Sequence, residues 1–410
     1  MASAGLVLSA CSSGSSSGSS NTITVMWQSN GDNSAIPAIA KGFEAANPGV
    51  KVEVKLLADA DVHSLVNAQL PAGNGPDVFM TAGNIGTGSI EDFAKKGLIA
   101  PLDDATWADK LDAPTRAVGT AADGKLYGLS PTVGAVGAVY NTGALAAAGL
   151  TIPTTWDELL KFCRDAKAKG KTAFGLGLKE GWTTTLLPDA LLATTITDPD
   201  KFNSRVTSGK YDFTSDPEMK SAFEKESQMK DAGCFNASPM GTSIDNDTLP
   251  ATAKGTFLGT VTGAFHFGSL TQANPDGKFT LVPLPASNTA ADNKVYLSYS
   301  LSMAVNARSK NLALSKKFAD YFGTARSLNL LAKQYGLAPT IPNSEFVVPP
   351  SLSELVKLQK ENRVSNITWY VGDNSFKGIQ SGVSNLFLGK DDISALLKEI
   401  QTGYVADSTK

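Results

Sequence analysis

Hydrophobic positions along the first hundred residues switch between two periods. Ile23–Trp27 (ITVMW) is a near-continuous apolar run, the pattern of a strand buried on both faces. Ile36, Ile39, Ala40 and Phe43 then recur at helical spacing after Ser34, a residue type suited to capping. This helix stops at Asn47-Pro48-Gly49. Val50, Val52, Val54 and Leu56 alternate with polar residues, which predicts a second strand. A helix over Asp61–Leu70, closed by Pro71 and Gly73, follows, then a strand over Pro76–Met80 and a helix over Ile90–Lys96. Strand and helix in strict alternation predict an α/β fold with parallel βαβ units.

The stretch Asp123–Asn141 breaks that rhythm. Asp123-Gly124 is a turn signal, and Leu126–Leu129 and Ala135–Tyr140 are short strands. Pro131–Gly134 between them does not suit the interior of a central strand, so it reads as a crossing between two lobes. Beyond it, Thr155 and Glu158 form a capping-box pair at the start of a helix bearing Leu159, Leu160, Phe162 and Cys163. Ala173–Leu178 and Thr256–Thr262 read as strands, and Leu186–Thr195 and Pro217–Ala232 as helices. Leu281–Pro285 reads as a connector. Tyr296–Asn306 is extended and recrosses, followed by one helix over Ser309–Arg326 and a proline-rich crossing at Pro339, Pro342, Pro349 and Pro350. Helices over Leu352–Arg363, Phe376–Leu388 and Ile393–Tyr404 end the chain. The division expected is residues 21–133 plus 303–341 for one lobe and 134–302 plus 342–410 for the other, with a ligand cleft between.

Length agrees, because 410 residues exceed what one compact core holds. The chain is 42% hydrophobic and 18% charged with a net charge of -3, and no long run of one sign. That balance excludes nucleic acid as a partner. No window is long and apolar enough for a membrane-spanning helix.

Residues 1–20 read as a truncated signal segment, apolar over Ala4–Ala10 but lacking the usual charged start. Leu8-Ser9-Ala10-Cys11 looks like a bacterial lipobox, in which Cys11 becomes the lipidated first residue. The Ser/Gly run Ser12–Ser20 would then be a flexible tether of roughly 16 Å reach. Cys163 and Cys234 are either a disulfide of an exported protein or two small buried thiols.

In open parallel sheets, ligands sit beyond the carboxyl ends of the strands. The loops there carry Gln28, Ser29, Asn30, Gly31 and Asp32, then Thr81, Ala82, Gly83 and Asn84. Neither loop has a phosphate-binding glycine pattern, so no nucleotide and no other cofactor is expected. Trp182 and Phe265 each follow a strand, and Trp369 lies between two helices. Sugars offer hydroxyl edges to amides and carboxylates and C–H faces to aromatic rings. His266, Tyr299 and Asp373 lie in the same strand-end and crossing segments and complete the candidate set.

The segments ITVMW, FEAANPGVKVEV, GPDVF, KKGLIAPLDD, DGKLYGL, VYNTGALAAAGL, PTTWDEL, KGTFLGTVTGAFHF, LSMAVNARSKN and AKQYGLAPT come in one order across Ile23–Pro339. In that order they resemble the substrate-binding lipoproteins of carbohydrate ABC importers, the maltodextrin-binding-protein-like family. The resemblance implies a monomer of two α/β lobes closing over a mono- or oligosaccharide. It implies delivery to permease subunits at the extracellular face of the bacterial cytoplasmic membrane. It carries Asp32 as a hydroxyl-binding carboxylate, Asn84 as a polar contact, and Trp182, Phe265 and Trp369 as aromatic platforms. The chain departs from the family at Phe265-His266, where tryptophan is common, and at Tyr299-Ser300, where a glycine-rich turn is common. A polyamine, metal chelate or peptide is the alternative ligand. A lipid-anchored glycoside-processing enzyme is disfavoured, since His63 and His266 are far apart and no GxSxG, HExxH or CxxC occurs.

Overall fold

A computed structural model describes residues 21–29, 33–83, 87–299, 301–349 and 352–408. Its strands are β1 (Thr22–Gln28), β2 (Lys51–Leu57), β3 (Val78–Thr81), β4 (Gly128–Leu129), β5 (Thr132–Asn141) and β6 (Thr172–Gly175). They continue as β7 (Phe257–Gly263), β8 (Phe279–Val282), β9 (Val295–Tyr299), β10 (Ser302–Val305), β11 (Ala338–Pro339) and β12 (Val364–Ser365). Two separate sheets result, one per lobe. The first has the order β2-β1-β3-β10-β4, and the second β12-β9-β5-β7-β6 with β8 and β11 also paired to β5.

The first lobe follows from the two periods in its sequence. β1 lies parallel to both β2 and β3, with Val25 opposite Val54 and Val78. Its apolar run is buried on both faces, as a central strand requires. The helix Ala35–Ala46 buries Ile36, Ile39, Ala40 and Phe43, and Phe43 meets Phe318 edge-on at 5.2 Å. The helix Asp59–Ala72 takes in Pro71 and ends at Gly73, whose φ of 77° is the left-handed cap that glycine adopts without strain.

The break between lobes is narrower than the sequence suggests. Thr132–Gly134 already belong to β5, paired with Tyr299 and Ser298 of β9 and with β11, so only Ser130-Pro131 separates β4 from β5. Pro131 has no N–H to lose, and its carbonyl accepts from the Thr340 N–H at 3.1 Å. Gly134 is needed there for space, since a Cβ would stand 2.6 Å from Leu337. The extended run 296–306 is two strands in different sheets, β9 and β10. Among the described residues the chain therefore crosses three times, at 129–132, between 299 and 302, and at 336–340.

Two more expectations change, and one left open is decided. Leu281–Pro285 is not a plain connector, because Leu281 pairs with Val139 in β8. A strand that short gains its stability from its neighbour rather than from its own pattern. The helix expected over Ser309–Arg326 is two, Leu312–Phe322 and Ala325–Tyr335. They part at Gly323, where a Cβ would lie 2.1 Å from Trp107. The cysteines are paired, with the Cys163 and Cys234 sulfurs 2.11 Å apart, joining the helix Trp156–Ala168 to the chain after Pro217–Asp231.

Candidate ligand cleft

A cleft of about 1410 Å³ opens between the lobes and over the crossings. Its size exceeds the ~300–1,000 Å³ usual for one small ligand. The first lobe contributes Gln28 at the end of β1, Ala82 and Gly83 after β3, and Leu330, Lys333, Gln334 and Tyr335 of the helix Ala325–Tyr335. The second contributes Trp182, Asp189, Phe265, Tyr296 and Tyr370, and Tyr299 closes the back at the second crossing.

The aromatic edge is built by the turn Gly181–Thr185 and the turn after β7. Trp182 is 40% exposed, and its ring lies 6.3 Å from Phe265 and 6.1 Å from His266. His266 stands behind that pair, 8% exposed, with Nδ1 2.7 Å from the Thr262 hydroxyl. Burial pulls its pKa down to about 4, so the ring is neutral at ordinary pH.

The polar floor is different in kind. Tyr335 accepts from the Trp27 indole at 2.9 Å and bonds Gln28, which fixes one wall. On the other wall Asp189, 3% exposed, accepts from the Trp369 indole at 2.7 Å and bonds Thr185. Burial pushes its carboxyl up to about 7. The Tyr296 and Tyr370 hydroxyls bond one another beside it. Tyr299 reaches Thr115 of the first lobe, and burial together with the Asp112 charge pushes its hydroxyl up to about 12.

Of the candidates read from sequence, Gln28, Trp182, Phe265 and Tyr299 line the cleft. Trp369 does not form a platform. It is 0% exposed, packed on Phe223 and anchored to Asp189, because the segment carrying it folds under the cleft wall. Thr81 is buried with its hydroxyl spent on the Gly88 carbonyl, and Ser29 accepts from Asn33 instead. Asp373 is turned to another task, accepting from the Thr87 N–H at 3.2 Å and from the Thr87 hydroxyl, a bond between lobes. Asn30, Asp32, Asn84 and Cys11 lie outside the described residues.

The sequence reading missed Asp189, Tyr296, Tyr370 and the whole helix Ala325–Tyr335. That helix had a signal, the buried stripe Leu328, Leu331, Ala332 and Tyr335 at helical spacing. Asp189 had none, being one acidic residue in an apolar helix.

Residues 38–358 match the family described as bacterial extracellular solute-binding protein. The chain belongs to that family. Its members bind solutes and are not enzymes. The chain is 26% identical over 330 residues to the multiple sugar-binding protein of Streptococcus mutans serotype c, covering 79% of this chain and 76% of the relative. Among solved structures it resembles RafE in complex with raffinose, with TM-score 0.75 and 19% identity over 94% of this chain and all of that one. It also resembles a chitin oligosaccharide binding protein, with TM-score 0.77 and 20% identity over 94% and 99% of the two chains. At such identities the structures establish the shared two-lobed fold. The helices among the described residues include none long and apolar enough to cross a membrane.

Proposed function

We propose that this protein is the capturing component of an ABC sugar importer, taking a mono- or oligosaccharide between its lobes. The observation that carries the reading is the cleft itself, with exposed Trp182 and half-buried Phe265 on one edge and amide, hydroxyl and carboxyl groups on its floor. Flat rings suit the C–H faces of a sugar, and mixed donors and acceptors suit its hydroxyls. The sugar-binding relatives named above support the same ligand class. Asn30, Asp32 and Asn84 belong to this site through the sequence alone.

The lobes of the proposal follow the expected division of 21–133 with 303–341 and 134–302 with 342–410, moved by a few residues to the crossings at 129–132, 299–302 and 336–340, which puts all of β5 and β11 in the second lobe and all of β10 in the first. Lipid on Cys11 holds the monomer at the extracellular face of the cytoplasmic membrane, where closed lobes meet the permease subunits. The test is a thermal-shift screen against neutral mono- and oligosaccharides, with spermidine, a ferric chelate and a peptide mixture beside them. A saccharide at 100 times its Kd should add ~2.7 kcal/mol of stability. A shift with one of the other solutes and with no saccharide overturns the reading.

A further inference from the structure

Asp189 is the buried carboxyl that the cleft leaves incompletely used. It lies in the first turn of the helix Leu186–Thr195, where the helix dipole favours negative charge. Its neighbours Trp369 and Thr185 are neutral donors, and among the described residues no lysine or arginine forms an ion pair with it. An ionised carboxylate has about four acceptor positions, so two donors leave roughly half unfilled. Desolvation without enough donors is costly, which is why burial has raised this group's pKa. The group lines the cleft, so a ligand is what can complete its shell.

We infer that Asp189 is a specificity-determining residue of the sugar site, accepting two hydroxyls from adjacent ring carbons and doing so only as the carboxylate. This rests on the sugar reading above. Trp369 is its positioning residue, holding one oxygen so that the remaining acceptor positions stay available. A ring lacking the hydroxyl pair leaves the carboxylate buried and under-bonded, so it is rejected. Binding favours the ionised form, and ligand entry therefore expels the carboxyl proton to solvent.

The groups around Asp189 leave it as the one that titrates with binding. Thr185 and Trp369 do not ionise in this range. Tyr296, on β9, and Tyr370, after β12, are both pushed well above their ordinary value by burial and stay neutral. Tyr140, on β5, is likewise raised by burial. On the packed helix Pro217–Asp231, Glu226 is raised to about 8, but it does not line the cleft and serves as the control.

The experiment is calorimetry with raffinose, maltotriose, xylotriose and chitotriose in buffers of different ionisation enthalpy. At pH 7 a binding member should release about half a proton, and its affinity should fall roughly tenfold or more from pH 8 to pH 5.5. Glu226→Gln should keep both effects. Asp189→Asn should bind weakly at pH 8 and lose the pH dependence, with its melting curve checked alongside. Wild-type protein that binds a member equally at both pH values without proton release overturns the role of Asp189 and leaves the sugar reading standing. Binding of no member of the panel sinks both.

Discussion

The indole N–H of Trp369 donates to Oδ1 of Asp189 at 2.7 Å, joining residues 180 apart in the chain. Both side chains are buried, so the bond ties the segment after β12 to the helix Leu186–Thr195 beneath the cleft. Truncation here opens a cavity and strips a donor from a buried acid. Trp369→Ala is expected to lose ~3–5 kcal/mol of stability by chemical denaturation. Trp369→Phe should restore packing but not the indole donor, and so recover only part. Near-wild-type stability in the alanine variant would contradict the buried role.

Trp182 is the converse case. With 40% of its surface exposed, it fills little of the core. Trp182→Ala should leave the melting temperature almost unchanged while weakening saccharide binding by ~1–3 kcal/mol, the range for flat rings stacked on aromatic side chains. Calorimetry giving wild-type affinity would remove Trp182 from the platform.

Stability should depend on pH in an unusual direction. Burial raises Glu226 to about 8 and Asp189 to about 7, both above their ordinary values, so the folded chain holds protons that the unfolded chain releases. Their contribution is complete below the unfolded values and is lost as pH rises through 7 and 8. Both Glu226 carboxylate oxygens lack hydrogen-bond partners, consistent with a protonated group. Denaturation at pH 6.5 should require about 2 kcal/mol more than at pH 8.5. This window lies at or above the range in which the depressed His266 opposes the trend. Glu226→Gln should remove most of the difference, and a flat wild-type profile would count against the buried acids.

Asp373 and Thr87 meet across the two lobes, exposed to solvent and bonded through both the N–H and the hydroxyl of Thr87. Their bond favours the closed arrangement. Asp373→Ala should therefore raise the radius of gyration seen by small-angle scattering and weaken saccharide binding, since fewer molecules are binding-competent. Scattering curves that superimpose on wild type would show that the contact does not hold the lobes.

Local pattern determined much of this protein. The buried run of β1, the alternation in β2, the stripe of Ile36, Ile39, Ala40 and Phe43, and the Thr155–Glu158 capping box all form as their spacing dictates. In each, the information lies within a few residues, because periodicity and capping are local chemistry. The place of Gln28 at the end of β1 was legible for the same reason, whereas the expected strand before Trp182 stops at Gly175 and leaves Trp182 in the turn Gly181–Thr185. The tertiary structure decided what depends on partners far along the chain. Trp369 and Trp182 are the same residue type beside similar polar neighbours, yet one is sealed against Phe223 and Asp189 and the other faces the cleft. Position 323 is held to glycine because Trp107, far away in the chain, occupies the space a side chain would need. Asp189 becomes a cleft acid only when the segment carrying Trp369 packs against it. Burial is a property of the assembled fold, and it sets both the role of an aromatic ring and the charge of an acid.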